Sequence, residues 1–409
     1  MKIRTVITLL ALCALPAQSL FGQSTVSPYS FFGIGEIETG NYGENAGMGG
    51  LGIGFRQANS LNPSNPAALS GIVSKKFIFD ISAFGKAAWY TGQGKSEATM
   101  TANLRRLGVG FQVTDRWKVS AGLTPFSNVG YRIHKWTQAE GSDTMYETVF
   151  TGEGGLSKFY VGQALVISRN LSVGVNFAYV FGNTMHKETT DYWTSEEKSH
   201  AQKAFFDFGL QYYADLRHDR HLTVGLVGGY RSEVSMQNSV YTYDYEGYVY
   251  RDKTTPSNTQ HIPAFYGIGL SLASRKVTIG IDYLFQQWSG IDSGAKSVKY
   301  KDMNKITAGI SYTANKFDAR YYRKRITYQF GVTADDSYLS VSGKSGINFS
   351  VSAGMVFPLS NFENTIHFGV EYGRNSTPAE TRIAVKENFV KATIGITFRE
   401  RWFERKQYH

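Results

Sequence analysis

Several residue groups in this chain are of types that can do chemistry, and most can be set aside on spacing. Gly47-Met48-Gly49-Gly50-Leu51-Gly52 fits the G-x-G-x-x-G pattern that cradles a pyrophosphate. That chemistry needs a strand–helix frame and an acidic residue for the ribose, yet no Asp or Glu occurs from Ala46 to Phe79. The eight histidines form no H-x-x-x-H or similar metal pattern. A lipase-like serine needs a local signature and held partners, and none is legible. We therefore expect no catalytic residue, no metal site and no cofactor. What remains is recognition. Lys86, with Arg105 or Arg106, is placed to pair a carboxylate. His367 and Glu371 share one strand phase. Tyr241 and Tyr243 stand in a tyrosine-rich stretch that offers apolar area with polar tips, suited to a greasy ligand or to a protein contact.

These residues must be held by some frame, and the N-terminus limits the choice. Lys2 and Arg4 precede an apolar run from Val6 to Leu15, and Ala17-Gln18-Ser19 offers a small-x-small cleavage site. The run is shorter than the roughly 20 residues that span a membrane as a helix. Residues 1–22 thus read as a signal peptide, and the only cysteine, Cys13, leaves with it. Charged residues are 19% of the chain, below the roughly 25% of soluble domains, while glycine numbers 43 and tyrosine plus phenylalanine number 26 and 27. No later stretch resembles a transmembrane helix. An exported, aromatic-rich chain of this kind points to an outer-membrane β-barrel. The formal net charge is +10. For an exported chain that favours lipopolysaccharide phosphates or anionic cargo, and excludes nucleic acid as a partner.

Period-two alternation predicts the strands. Val390, Ala392, Ile394, Ile396 and Phe398 alternate with Lys391, Thr393, Gly395 and Thr397. Leu171 to Phe181 and Val277 to Phe285 do the same. We read roughly fourteen antiparallel strands between Lys75 and Phe398, an even number as single-chain bacterial barrels require. Tight turns such as Asp115-Arg116 and Ser274-Arg275 alternate with long polar stretches, 134–155, 184–202 and 232–260, which read as outward loops. The expected organisation is a signal over 1–22, a hatch or plug over 23–74, a barrel over 75–398 and a periplasmic tail over 399–409, with both mature termini periplasmic. Glycines from Gly110 to Gly395 recur in the lumen phase near the short-turn end. They leave room for a packed plug backbone, or they relieve curvature at barrel corners.

The segment ahead of the first strand is irregular but small and apolar. Asn62-Pro63 and Asn65-Pro66 each break helix and strand, and Ala67, Ala68 and Leu69 are fit for burial. "AGMGGLGIGFRQANSLNPSNPAALSGI" resembles the hatch of the FadL family of outer-membrane transporters for long-chain fatty acids and other hydrophobic compounds. The family's Asn-Pro-Ala motif falls on Asn65, Pro66 and Ala67. Ala68 stands where the family usually has glycine, and an extra Asn-Pro precedes the motif. In the third strand Val119, Ala121 and Leu123 alternate, then Pro125-Phe126-Ser127-Asn128 interrupts before Val129, Tyr131 and Ile133 resume. Proline cannot donate to a ladder, so pairing should fail locally, as a kink or a plain bulge. The resemblance implies an inward kink here that opens a lateral window. It implies passive uptake of a hydrophobic small molecule or fatty acid by a monomeric barrel in the outer membrane, in contact with its lipid. The rival expectation is a docking platform like the PorV-type secretion proteins, which resemble the same family and would bind a secretion-system or surface protein. A transporter needs a continuous apolar tunnel, whereas a platform can stay plugged.

Overall fold

The computed structural model describes residues 27–401 except 39–42, 74, 93–94, 139–140, 142, 144, 245, 257–259, 292–297, 342–343, 360–363 and 377–384. The leader expected over 1–22 and residues 402–409 of the tail lie outside the described residues. Fourteen antiparallel strands close into a barrel. They are β1 (Lys76–Gly92), β2 (Lys95–Gln112), β3 (Trp117–Asn128, resuming as Tyr131–Gln138), β4 (Met145–Val166), β5 (Leu171–Thr189), β6 (Trp193–Leu216) and β7 (Arg220–Gly229, resuming as Ser232–Asp244). Then come β8 (Val249–Pro256, Gln260–Ile262 and Ala264–Ala273), β9 (Val277–Gln287), β10 (Val298–Tyr300 and Met303–Thr313), β11 (Thr327–Val341), β12 (Lys344–Pro358), β13 (Thr365–Ser376) and β14 (Lys386–Arg401). β1 pairs with β14, from Lys76↔Arg401 to Thr91↔Lys386, and this seam closes the ring. The last strand thus continues through residues 399–401, past the boundary at Phe398 read from the alternation.

The wall is inside out relative to a soluble domain. In β9, Ile279 and Ile281 are half exposed on the outside while Gly280 and Asp282 are buried inside. A continuous apolar exterior left in water would cost about 25 cal/mol per Å²; lipid removes that cost, so this is an outer-membrane barrel.

Three stretches expected as open loops are largely strand. β4 begins at Met145, β5 runs to Thr189, β6 begins at Trp193 and β7 reaches Asp244. β6 has 24 residues, against roughly 9–11 needed to cross a bilayer. The walls of β4 to β8 therefore rise beyond the membrane as a paired palisade. Outside lipid both faces are wet, so the apolar alternation disappears while the ladder continues. Tyr241 and Tyr243 stand in this palisade, opposite Glu196 and Thr194 of β6.

Candidate functional site

The plug sits in the lumen near the short-turn end, and its fold grows from the two Asn–Pro pairs. Asn65 caps a 3-10 turn over Pro66–Gly71: its Oδ1 accepts the Ala67 N–H at 3.0 Å while its Nδ2 donates to the Ile53 carbonyl at 2.8 Å. Pro66 fits because the first N–H of such a turn has no partner to lose. Asn62 does the complementary task, donating to the carbonyls of Gly52 at 2.6 Å and Phe55 at 3.1 Å. The two asparagines thus staple the glycine run to the Asn-Pro-Ala turn. Met48, Leu51 and Phe55 form one small apolar core, and Leu61, Leu69 and Ile72 another against Ile78 and Ala164 of the wall.

The wall meets the plug with a belt of glycines paired across strands: Gly174↔Gly209, Gly225↔Gly269, Gly280↔Gly309, Gly309↔Gly331 and Gly354↔Gly369. A methyl group added at Gly174 would meet Ala67 and Pro66 backbone, at Gly209 Asn65, at Gly225 the Ile53 carbonyl, and at Gly354 Gly47, all at under 3 Å. Room for packed backbone is therefore the main use of the belt, although Gly122 and Gly395 face wall side chains, Tyr160 and His367, instead. Polar wall residues then fix the plug. Asp282 accepts the N–H groups of Gly52, Ile53 and Gly54 at 2.8, 2.9 and 3.2 Å. Gln211 donates to the carbonyls of Ile53 and Phe55, Ser271 to Gly54, and Ser352 bonds Gly47 and Gly49.

The β2–β3 ladder ends at Leu107↔Leu123. Beyond it β2 continues along β1 and β3 continues along β4, with no register between them. Pro125 lies just past the last rung, and Phe126 bulges out of the β4 register and packs on Phe205. Gly154 and Gly155 on β4, with φ +107° and +151°, and Gly182 on β5, with φ +155°, let the neighbouring strands follow the bend. In place of β2, β3 takes a partner from the chain's own N-terminal segment. The short strand Glu36–Ile37 pairs with Asn128 and Ser127. Ser127 donates to the Ile34 carbonyl at 2.6 Å, and the Ser27 N–H reaches Gly130 at 2.6 Å.

Glu38 ties the two sides of this break together. It accepts from Asn128 of β3 at 3.3 Å and pairs with Arg105 of β2 at 3.2 Å. Arg105 reaches the lumen because it is the extra residue in a bulge: β1 pairs Ser82↔Arg106 and then Ala83↔Leu104. That bulge is why the alternation of β2 falters there. We predict that Glu38→Gln, which weakens a charge-assisted contact worth about 1.5–3 kcal/mol, speeds amide exchange across residues 27–38 by at least about tenfold in hydrogen–deuterium exchange. Unchanged exchange would show that the segment is held elsewhere.

Each of the three cations singled out for a cargo carboxylate is ion-paired with the protein itself. Lys86 meets Glu387 at 2.6 Å, Arg105 meets Glu38, and Arg106 meets Asp80 at 2.8 Å. Glu371, the fellow of His367, pairs with Lys391 at 3.3 Å. Tyr243 donates to Glu196 at 3.3 Å in the palisade, remote from these pairs. Between the pairs lie cavities of about 130, 180 and 150 Å³. The first is lined by Glu38, Arg105, Arg106, Pro125 and Lys158, at the strand break. The largest mixes Phe126, Phe205 and Phe265 with Asp207, Asp282 and Lys305. Sequence reasoning missed Glu38, Asp282, Gln211 and Glu387. Asp282 and Gln211 were findable as charged or amide residues in the lumen phase two residues from a belt glycine; Glu38 and Glu387 carry no local signal.

A fourteen-strand barrel with a plugged lumen and an interrupted third strand defines the FadL-like class of outer-membrane barrels. Solved structures agree in fold. The chain is similar to a Pseudomonas aeruginosa FadL homologue (TM-score 0.59, 11% identity, covering 90% of this chain and 100% of that one). It is also similar to the P. putida toluene transporter TodX (0.58, 13%, 94% and 100%) and to the CymD monoaromatic hydrocarbon channel (0.56, 13%, 90% and 100%). No curated protein matches it in sequence. A family model described as BamG matches residues 1–409, and the chain belongs to the BamG family.

Proposed function

We propose that this protein is a sealed FadL-like barrel that serves as an outer-membrane docking component, in keeping with the Bam-associated role its family name suggests. The observation that carries this reading is the state of the lumen: Lys86, Arg105 and Arg106, the cations singled out to hold a cargo headgroup, are ion-paired with the chain's own carboxylates. The cavities left between them support it: they adjoin at Glu38, and charged groups such as Lys158, Asp282 and Lys305 stand among their phenylalanines, where a transporter needs a continuous apolar tunnel. Conduction of an apolar solute past Lys86–Glu387, Arg105–Glu38 and Lys391–Glu371 would require burying those charges against hydrocarbon, which costs several kcal/mol for each ion.

A second reading, uptake of a hydrophobic molecule through a lateral window, is favoured by the broken β2–β3 ladder and by the fold it shares with transporters. One experiment separates the two. The protein is purified from its native outer membrane in mild detergent, then analysed by native mass spectrometry and by lipid extraction. A stoichiometric protein partner with an empty lumen is the expected result. A bound fatty acid or similar apolar molecule that disappears when residues 24–74 are deleted would overturn docking in favour of uptake.

A further inference from the structure

The short-turn end, which faces the periplasm in outer-membrane barrels, carries one connection much longer than the others. β10 and β11 are joined by residues 314–326, whereas 113–116, 167–170 and 274–276 suffice elsewhere. The long connection is folded. Asp318 Oδ1 accepts the N–H groups of Arg320 at 2.9 Å and Tyr321 at 2.7 Å, and its other oxygen meets Lys324 at 3.3 Å. The Tyr321 N–H and the Lys324 ammonium hold the Asp318 carboxyl below the usual carboxylate range. Asn315 takes up the Lys324 carbonyl at 2.8 Å, and Tyr322 donates to the Pro358 carbonyl at 3.1 Å. Lys324 and Arg325 lie over the rings of Tyr321 and Tyr322. This knuckle projects Phe317, 81% exposed, and Tyr321, 53% exposed.

Its charge is lopsided. The knuckle joins the turn at 274–276 through the Thr313 N–H on the Lys276 carbonyl, and that turn joins 217–220 through Arg275 and Asp219. Residues 217–220, 274–276 and 314–325 together hold nine lysines and arginines against two aspartates. The next two turns, 167–170 and 113–116, hold two arginines against one aspartate, and the seam end at 75–76 and 399–401 holds two lysines and two arginines against one glutamate. The outer hairpin 186–200 holds two lysines against four acids. The arc is the most basic stretch of this rim, and it is the one centred on the exposed rings of Phe317 and Tyr321. Exposed aromatic rings at its centre, on a rigid turn, have the make-up of a binding hot spot with little ordering cost.

We infer that the arc of 217–220, 274–276 and 314–325 docks an acidic segment of a periplasmic protein, with Phe317 as the apolar anchor. This rests on the docking reading above and supplies its surface. The test uses the full chain in phosphatidylcholine nanodiscs and, as probe, a fluorescein-labelled peptide of glutamates around one tryptophan. Saturable, salt-sensitive binding is expected. Arg320→Glu with Arg323→Glu should weaken it by at least about tenfold, and Phe317→Ser by about threefold. Arg116→Glu with Arg169→Glu, on the two turns outside the arc, should leave it unchanged. Equal loss in the Arg116/Arg169 variant would overturn the inference. So would loss of peptide binding to wild type once phosphatidylglycerol is added to the disc, which would make the arc a lipid-headgroup belt. In the complex from native membranes, the Arg320/Arg323 reversal should release the partner from a barrel that still shows its folded mobility on a gel. If the partner stays, the arc is wrong and docking stands; if wild type has no partner, docking itself is wrong.

Discussion

In a planar lipid bilayer, the Gly225→Val protein is expected to conduct ions at a level the wild type does not reach. Gly225 sits under the centre of the plug, where an added methyl would fall on the Ile53 carbonyl and close to Asn65 Nδ2. Neither atom can step aside. The Ile53 carbonyl already takes hydrogen bonds from Asn65 and Gln211, and the Ile53 N–H is held by Asp282. Overpacking of this kind costs about 1–3 kcal/mol, and each 1.4 kcal/mol or so moves the seated-to-unseated ratio by about tenfold. Valine also suits a strand better than glycine, so the wall gains while the seat is lost. The control is Gly228→Ala on the same strand, where the new methyl would lie 3.6 Å from Phe265 and Tyr266, an ordinary contact. A folded Gly225→Val barrel with unchanged conductance would mean that the belt serves curvature after all.

That belt was legible in the sequence because lumen-phase position and residue type coincide on strand after strand. So was the barrel itself wherever lipid bathes one face: the alternation of Val277 to Phe285 is the direct imprint of lipid outside and plug inside. The reading failed where that imprint stops. Residues 145–155 and 193–202 are strand, but water on both sides leaves no apolar period, so they read as loop. It failed again at Arg105, where one extra residue in β2 turns two successive arginines inward. Pro125 flagged the interruption of β3. What replaces the missing neighbour was not visible, because the pairing of Glu36–Ile37 with Ser127–Asn128 spans some ninety residues and uses backbone groups common to every residue type. The Asn-Pro-Ala turn was found by its breakers. The anchor of the glycine run stapled to it, Asp282, lies more than two hundred residues away and depends on strand register that no local pattern carries.

The broken ladder is also where docking and uptake part company. A gap in a barrel wall exposes N–H and C=O groups to lipid at several kcal/mol each, so it persists only if something covers it. Here the N-terminal segment covers the β3 edge, and Glu38 spans from there to Arg105 on β2. The β3 side of the break is thus covered from within, and an ion pair ties it to β2. Whatever opens it must first outcompete an ion pair that 8% exposure of Arg105 keeps out of bulk water. A diffusing apolar solute brings no charge with which to do so.

The same logic gives the largest expected stability effect. Asp80, fully buried, accepts from Arg106 at 2.8 Å and from Thr397 at 2.8 Å, so the pair links β1, β2 and β14 across the seam that closes the barrel. Arg106→Ala leaves the Asp80 carboxylate without its counterion in a site that water does not reach. Removing one partner of a buried pair costs roughly 3–5 kcal/mol, a large share of the 5–15 kcal/mol or so that holds a typical fold. We expect the urea midpoint in detergent micelles to fall accordingly, and the heat-modifiable band to unfold at a lower temperature. Asp80→Leu combined with Arg106→Met should be milder than Arg106→Ala alone, because an apolar pair owes no desolvation and orphans no charge. A double variant as unstable as the single would show that Arg106 contributes packing rather than charge. An Arg106→Ala barrel as stable as wild type would mean that the Asp80 carboxylate is neutral in the lumen. Arg106 would then be available for a cargo carboxylate, the role its position in the lumen first suggested.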